Sequence, residues 1–191
     1  MPEIDPKHLT FADYLLSPTI TQRYDIIDGE MVMSAAPTWE HQDIIGNLYV
    51  ALRGYFHSNP QGRVVFSPCD ILIQRDPLRT RQPDLFIFLH GRDDVGDLEN
   101  LRVQSVIQAA PDITIEVISK HETRSMRTEK LEDYRRIGVK ECWIVSPQAQ
   151  TIEVLRLSLE GVRTVGIYGV GMRVHSEILA GVELPVDDVF A

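Results

Sequence analysis

The stretch "DITIEVISKHETRSMRTEKLEDYRRIGVKECWIVS", residues 112–146, decides the fold. It begins with an apolar run typical of a strand and ends with a near-continuous apolar run typical of a strand buried on both faces. Between them, residues 126–137 have the periodicity of a helix that ends near Gly138. This strand, helix, strand order predicts a right-handed crossover and a parallel pair within a mixed sheet. Functional sites in such sheets lie beyond the carboxyl ends of the strands, here near Ser119.

The segments outside this unit predict further helices and strands. A short helix is expected over residues 9–16, a hairpin at Asp28-Gly29, and a long helix capped by Thr38. The other predicted strands cover residues 63–66, 70–74, 83–89 and a C-terminal hairpin after residue 150. We therefore expect a single domain over residues 1–191, of the α/β (α+β) class, with a mixed central sheet flanked by helices.

The composition excludes several classes of protein. Apolar residues make up 43% of the 191 residues and charged residues 25%, as in soluble globular proteins. No apolar run approaches the ~20 residues that a membrane span needs, and the N-terminus lacks the pattern of a signal peptide, so we expect a cytoplasmic protein without membrane contact. Cys69 and Cys142 have no histidines at ligand spacing, which excludes a zinc site built on them.

The charge balance bears on nucleic-acid binding. The net charge is −9, and nonspecific affinity for DNA comes mostly from neutralisation of phosphates. The chain should therefore bind bare duplex DNA weakly unless metal ions or a local basic patch assist. Basic residues are concentrated between Lys120 and Lys140, but acidic residues alternate with them, so a solvated helix face is the alternative interpretation.

A lysine stands in the apolar stripe of the helix within the opening stretch. Met126, Lys130, Tyr134 and Ile137 follow helical spacing and predict the face toward the core. A lysine at such a position either extends its ammonium to water or meets buried carboxylates. The sequence therefore raises the question of which carboxylates lie close enough to pair with Lys130.

Two acidic residues in apolar strands are the candidates. Asp84 begins the run "DLFIFL", and Glu116 stands between Ile115 and Val117 in a strand too apolar for a fully exposed glutamate. Each alone is equally consistent with a structural role. Together with Lys130 they form a set suited to metal-assisted phosphodiester hydrolysis. Carboxylates bind Mg²⁺ or Mn²⁺, and a lysine adds positive charge beside the reacting groups.

Five segments of the chain resemble the Uma2 family of the PD-(D/E)XK, or restriction-endonuclease-like, superfamily. The segments are "YDIIDGEMV" (24–32), "WEHQ" (39–42), "RQPDLFIF" (81–88), "PDITIEVISK" (111–120) and "EKLEDYRRIGVKECWIVSP" (129–147). The resemblance extends from about Phe11 to Leu157 and implies a restriction-endonuclease-like core. It also implies a nuclease that uses Mg²⁺ or Mn²⁺ and acts on DNA.

The resemblance assigns roles to particular residues. It implies that Asp84 and Glu116 are the metal ligands and that Lys130 is the catalytic lysine. In the wider superfamily the lysine stands two residues after the glutamate, where this chain has Ile118, and Lys120 is the rival for the role. Two further residues match family motifs. The resemblance implies that Glu30 is a third acid near the metal and that His41 binds a phosphate or orients water.

Two other functions compete with a DNA nuclease. Family members often have an aspartate one turn before the lysine, where this chain has Met126. This departure and the acidic charge favour a catalytically idle module that keeps the fold and binds a partner or forms a homodimer through its C-terminal strands. The third alternative is metal-assisted hydrolysis of a smaller phosphoester, which an acidic surface permits more readily than duplex binding.

Overall fold

The computed structural model describes residues 8–17, 20, 22–93, 95, 98–101, 104 and 106–191. The helices in these residues are α1 (Phe11–Leu16), α2 (Trp39–Ser58), α3 (Leu98–Leu101), α4 (Arg124–Ile137) and α5 (Val186–Val189). In the described part of the chain, no helix combines the length and the apolar character needed to cross a bilayer.

The strands alternate with these helices along the chain. They are β1 (Tyr24–Ile27), β2 (Glu30–Met33), β3 (Gly62–Phe66), β4 (Ile71–Arg75), β5 (Leu78–Arg81), β6 (Leu85–Leu89), β7 (Ile113–Val117), β8 (Glu141–Ser146), β9 (Thr151–Ser158), β10 (Gly161–Gly169), β11 (Arg173–Val174) and β12 (Leu184–Pro185). The predicted hairpin at Asp28-Gly29 is confirmed, and both turn residues have the positive φ that a tight two-residue turn requires.

The central sheet has six strands in the order β10-β9-β8-β7-β6-β3. Strands β7 and β8 pair in parallel, and the other neighbours in this sheet pair antiparallel, which confirms the predicted mixed sheet. Helix α4 connects the two parallel strands. The chain thus folds as a mixed α/β protein with a central mixed sheet and flanking helices.

A second sheet, of four antiparallel strands in the order β2-β1-β5-β4, was not predicted. Its strand β5 has the sequence "LRTR", which lacks the apolar pattern of a buried strand. All four residues of β5 are nevertheless buried. Arg79 and Arg81 are accommodated because each forms ion pairs with buried acidic groups.

The two faces of the central sheet have different partners. Alternate residues of β7, such as Ile115, pack with Leu48 and Leu52 of α2 on one face. The opposite face packs against α4, where Tyr134 lies fully buried beside Ile144. Because side chains alternate along a strand, Glu116 points to the α4 face. This alternation places a carboxylate under the helix that contains Lys130.

Helix α4 ends before Gly138 as predicted, but it begins at Arg124 rather than at the predicted Met126 and is rotated slightly from the expected stripe. The Thr123 side chain accepts a hydrogen bond from the Met126 amide, and Gly138 ends the helix with a φ of 95°. The buried face includes Asp133 as well as Tyr134, whereas Met126 is 46% exposed. The prediction that Met126 faces the core is therefore wrong, because α4 packs against charged groups of β5 on one flank of its apolar stripe.

Candidate active site

The pairing of β6 with β7 brings Asp84 and Glu116 to neighbouring positions. Leu85 lies opposite Ile115 in this antiparallel pair, so the next position along the register sets Asp84 opposite Glu116. Oδ2 of Asp84 accepts a hydrogen bond of 2.7 Å from the amide of Val117, the residue after Glu116. Both carboxylates are buried, with 2% of Asp84 and 3% of Glu116 exposed.

Helix α4 supplies two hydrogen-bond donors to Glu116. The ammonium of Lys130 lies 2.9 Å from Oε2, and the hydroxyl of Tyr134 donates to Oε1. Lys130 and Tyr134 are four residues apart, so they stand on the same face of the helix. The structure thus brings Lys130 together with Glu116. Tyr134 is a site residue that the sequence placed on the buried stripe without giving it a role.

The ionisation of Glu116 depends on a balance of opposing effects. Burial raises the pKa of Glu116, the charge of Lys130 opposes this rise, and the nearby charge of Asp84 adds to it, with the rise prevailing. Burial also raises the pKa of Tyr134 well above its ordinary value, and the charge of Glu116 contributes to that rise. Tyr134 is therefore a hydrogen-bond donor throughout the physiological pH range.

Lys130 remains a cation in this environment. Burial alone would lower its pKa, but the charges of Glu116 and Glu122 outweigh burial and raise it. The Glu122 carboxylate lies 3.9 Å from the ammonium and Glu116 lies at 2.9 Å, and only Glu116 is within hydrogen-bond distance. Because it stays protonated near neutral pH, the Lys130 ammonium offers hydrogen-bond donors and a positive charge and cannot accept a proton from water.

Asp84 has partners from three other parts of the chain. Besides the Val117 amide, the Arg23 guanidinium pairs with Oδ1, and Nε2 of His41 lies 3.5 Å from Oδ2. Burial alone would raise the pKa of Asp84, but the His41 hydrogen bond and the Arg23 charge outweigh it and lower the pKa. Asp84 is therefore an anion held in place by Arg23, a residue for which no role was predicted.

His41 lies beside Asp84. It stands in the first turn of α2, and its Nε2 is 3.2 Å from the carbonyl oxygen of Val117. Both neighbours of Nε2 are acceptors, so Nε2 is the nitrogen that bears the proton. Nδ1 is buried and has no hydrogen-bond partner among the described residues.

Glu30 lies further from the two buried carboxylates. It is exposed at the start of β2 and, together with Lys130, Asp25 and Arg81, lines a cavity of about 480 Å³. In the described part of the chain its side chain makes no hydrogen bond or ion pair with Asp84 or Glu116. The cavity lies beside Lys130 and gives solvent a route to this side of the site.

The rival lysine lies outside the constellation. Lys120 is exposed in the turn after β7, and its side chain makes no contact with Glu116 that resembles the one from Lys130. Position 118, where the wider superfamily has its lysine, is a partly buried isoleucine that packs against the α4-side core. The geometry therefore favours Lys130 over Lys120.

A buried ionic network joins α4 to the second sheet. The Arg79 Nε lies 2.8 Å from both oxygens of Asp133, and the Arg81 Nε lies 2.7 Å from Oδ2 of Asp133. Arg81 also pairs with Asp25 of β1 at 2.9 Å. The alternation of two arginines in β5 was the available signal, because it puts both on one face of a strand.

The described residues do not form a complete metal cage by themselves. Among them, no three histidine, cysteine, aspartate or glutamate side chains converge as a metal-binding group. Two acids, Asp84 and Glu116, lie on neighbouring strands with Lys130 beside them. Mg²⁺ is commonly bound by one or two carboxylates and completes its shell with water and substrate phosphate, so two acids suit its chemistry.

Comparison with known proteins gives this geometry its context. A search of curated proteins found no match. Among solved structures, the crystal structure of "a putative nuclease belonging to DUF820" from Anabaena variabilis ATCC 29413 has the same fold. It matches with a TM-score of 0.76 at 18% sequence identity, over 95% of this chain and 97% of that chain. The model of the Uma2 family, described as "Putative restriction endonuclease", matches residues 11–187. The chain therefore belongs to the Uma2 family.

Proposed function

We propose that this protein is a divalent-metal-dependent nuclease that hydrolyses phosphodiester bonds in DNA. The observation that supports this most directly is the 2.9 Å contact between the Lys130 ammonium and Glu116, whose strand neighbour across the β6–β7 register is Asp84. Two buried acids on neighbouring strands are unusual in a structural core, and a part-buried lysine lies beside them. Membership of the Uma2 family, described as "Putative restriction endonuclease", supports the same reaction class.

Asp84 and Glu116 fit Mg²⁺ or Mn²⁺ by the chemistry of their donors. Both offer hard carboxylate oxygens, and each carboxylate has more acceptor sites than the hydrogen bonds it receives. Their mutual repulsion contributes to the raised pKa of Glu116, so a cation between them would favour the ionised pair. When bound there, Mg²⁺ or Mn²⁺ supplies positive charge that offsets the negative charge developing on the phosphoryl oxygens.

The side chains of this protein would position and stabilise the reacting groups. Lys130 has three donors and gives one to Glu116, so its other donors can reach the attacking water or a phosphoryl oxygen. Tyr134 fixes the second oxygen of Glu116, which limits the motion of the carboxylate. His41 lies beside Asp84, and its Nδ1, an acceptor without a partner among the described residues, can accept a hydrogen bond from a water molecule on the other side of the site.

The acidic net charge shapes how DNA would be bound. With a net charge of −9, most of the surface repels the phosphate backbone. Lys120 and Arg124 are exposed on either side of the start of α4, at the carboxyl end of β7 where the site lies. We therefore propose that DNA is bound by local contacts at this end of the sheet, with the metal ion contributing to affinity.

Cleavage of plasmid DNA and of a single-stranded oligonucleotide with and without Mg²⁺ tests this function. We expect Mg²⁺-dependent cleavage by the wild-type protein that falls at least about 100-fold in Glu116→Gln, because a metal ion supplies several kcal/mol of transition-state stabilisation. Glu132→Gln is the matched control, since Glu132 is exposed on α4 and pairs with Arg135 of the same helix. Equal cleavage by wild type and Glu116→Gln would contradict the proposal.

A catalytically idle interaction module is the second candidate. Met126 favours it, because this exposed side chain lines the same cavity as Lys130 at the position where relatives often have an aspartate. Calorimetric titration with Mg²⁺ or Mn²⁺ that shows no binding dependent on Asp84 and Glu116 would support this alternative.

The homodimer and the cytoplasmic location remain predictions. The edge strand β10 exposes Val162 and Ile167, which would suit a contact between two copies of the chain.

A further inference from the structure

Arg23 pairs with one of the two oxygens of Asp84, Oδ1. It lies immediately before β1, and its backbone carbonyl accepts the hydrogen bond from Ser34 that closes the β1–β2 pair. One amino group of its guanidinium donates to Oδ1 of Asp84, and the other donates to the Gln82 carbonyl at 2.5 Å. The planar guanidinium thus bridges both sides of Pro83 at the start of β6.

The two oxygens of Asp84 are not equivalent. Oδ2 accepts from the Val117 amide at 2.7 Å and lies 3.5 Å from His41, so it is directed into the protein. Oδ1 has Arg23 as its partner, and the Arg23 side chain is 26% exposed. A cation that approaches Asp84 from solvent would bind Oδ1. The Arg23 guanidinium therefore stands at the oxygen that the cation needs.

The Arg23 guanidinium is a positive charge beside the proposed metal ligands. It pairs with Oδ1 of Asp84, which stands opposite Glu116 across the β6–β7 register. A divalent cation on Asp84 would experience repulsion from Arg23, and the same guanidinium stabilises the ionised Asp84 when it pairs with it.

One donor of Arg23 has no acceptor. Its Nε is buried and has no hydrogen-bond partner among the described residues. A phosphate offers several acceptor oxygens that match the two-donor edge of a guanidinium. Arg23 is thus both paired with a metal-ligand candidate and incompletely satisfied by its present partners.

We propose that Arg23 competes with the divalent metal for Asp84 and that, once the metal occupies Asp84, its guanidinium pairs with a phosphate of the substrate. This inference rests on the proposed function. Arg23 then has two successive partners, first Asp84 and then the phosphate. Removal of the Arg23 charge should therefore strengthen metal binding and slow cleavage.

Calorimetric titration of the full chain with Mn²⁺ measures the first effect. Arg23→Met, which keeps length and removes charge, should bind Mn²⁺ roughly 10-fold more tightly than wild type because the competing charge is gone. At saturating Mn²⁺ the same variant should cleave DNA roughly 100-fold more slowly, because the bidentate phosphate contact is lost. Arg53→Met, which removes an exposed arginine of α2, should change neither quantity.

The outcomes separate this inference from the function on which it rests. Unchanged or weaker Mn²⁺ binding by Arg23→Met overturns the competition, and unchanged cleavage at saturating Mn²⁺ overturns the phosphate contact. If wild type and Asp84→Asn bind Mn²⁺ equally, the metal site itself is wrong and the proposed function fails with it. Arg23→Gln, which keeps a donor toward the Gln82 carbonyl, gives the same readouts if the methionine variant does not fold.

Discussion

Replacement of Lys130 by methionine should reduce Mg²⁺-dependent cleavage roughly 1000-fold, the upper range for loss of one preorganised donor to a transition state. Methionine keeps an unbranched apolar stem at this position but removes the ammonium that lies 2.9 Å from Glu116. Because Lys130 is a permanent cation at neutral pH, no change of pH should restore activity to the variant. Initial cleavage rates at saturating Mg²⁺ and DNA measure the effect.

Lys120→Met is the control for this experiment. It removes the same charge from an exposed position after β7, so loss of general electrostatic affinity would appear in both variants. We expect Lys120→Met to weaken DNA binding at low salt and to leave the rate at saturation nearly unchanged. A Lys120→Met variant as impaired as Lys130→Met would contradict the assignment of the catalytic lysine.

The Lys130 variant should also show a defined pH dependence of stability. Lys130 lowers the pKa of Glu116 against the effect of burial, so removal of Lys130 raises that pKa further above the unfolded value. Where the unfolded chain has lost this proton and the folded chain retains it, the free energy of unfolding falls as pH rises. The variant should therefore be closest to wild type in stability at acid pH, and its deficit should increase as pH rises through the raised pKa that Glu116 has in the folded wild-type protein. Urea denaturation of both proteins across this range measures the difference.

Replacement of Asp133 by asparagine should cause the largest loss of stability. Asp133 is 1% exposed, and its carboxylate is the shared partner of Arg79 and Arg81, both nearly buried. Removal of one partner from a buried ion pair costs about 3–5 kcal/mol because the remaining charge is left uncompensated. For a chain of this length the thermal midpoint should fall by roughly 10 °C.

Thermal unfolding of Asp133→Asn beside Glu132→Gln measures this effect. Glu132 is the neighbouring acid on α4, but it is exposed and pairs with Arg135 on the same helix, so its variant should keep the wild-type midpoint. Since the Asp133 network joins α4 to β5, its loss should also loosen the position of Lys130 and reduce cleavage. An unchanged midpoint for Asp133→Asn would contradict this prediction and show that other acidic groups balance the charges of Arg79 and Arg81.

The sequence predicted those parts of the fold that depend on local pattern. The β7–α4–β8 unit follows from apolar periodicity and from the terminating Gly138, all of which lie within one continuous stretch. The contact between Lys130 and Glu116 was predictable for the same reason, because 14 residues separate them. Local pattern therefore gave both the parallel pair and half of the candidate site.

The parts that were missed depend on charges satisfied by distant residues. Strand β5 is buried although it is polar, and Asp133 is buried although it lies outside the apolar stripe of α4 that periodicity identifies. Both became buried through pairing with each other. Arg23 lies 61 residues from Asp84, and no local signal identifies an arginine at the start of a hairpin as the partner of a buried acid.

Diffraction from a crystal soaked in Mn²⁺, recorded to locate the metal by its anomalous signal, tests the central claim most directly. We predict a peak at roughly 2 Å from an oxygen of Asp84 and an oxygen of Glu116, the range for small hard cations on carboxylates, with the Arg23 guanidinium moved away from Oδ1. A crystal in which Mn²⁺ binds elsewhere, while Arg23 remains on Asp84 and Lys130 on Glu116, would contradict the assignment of these two acids as metal ligands.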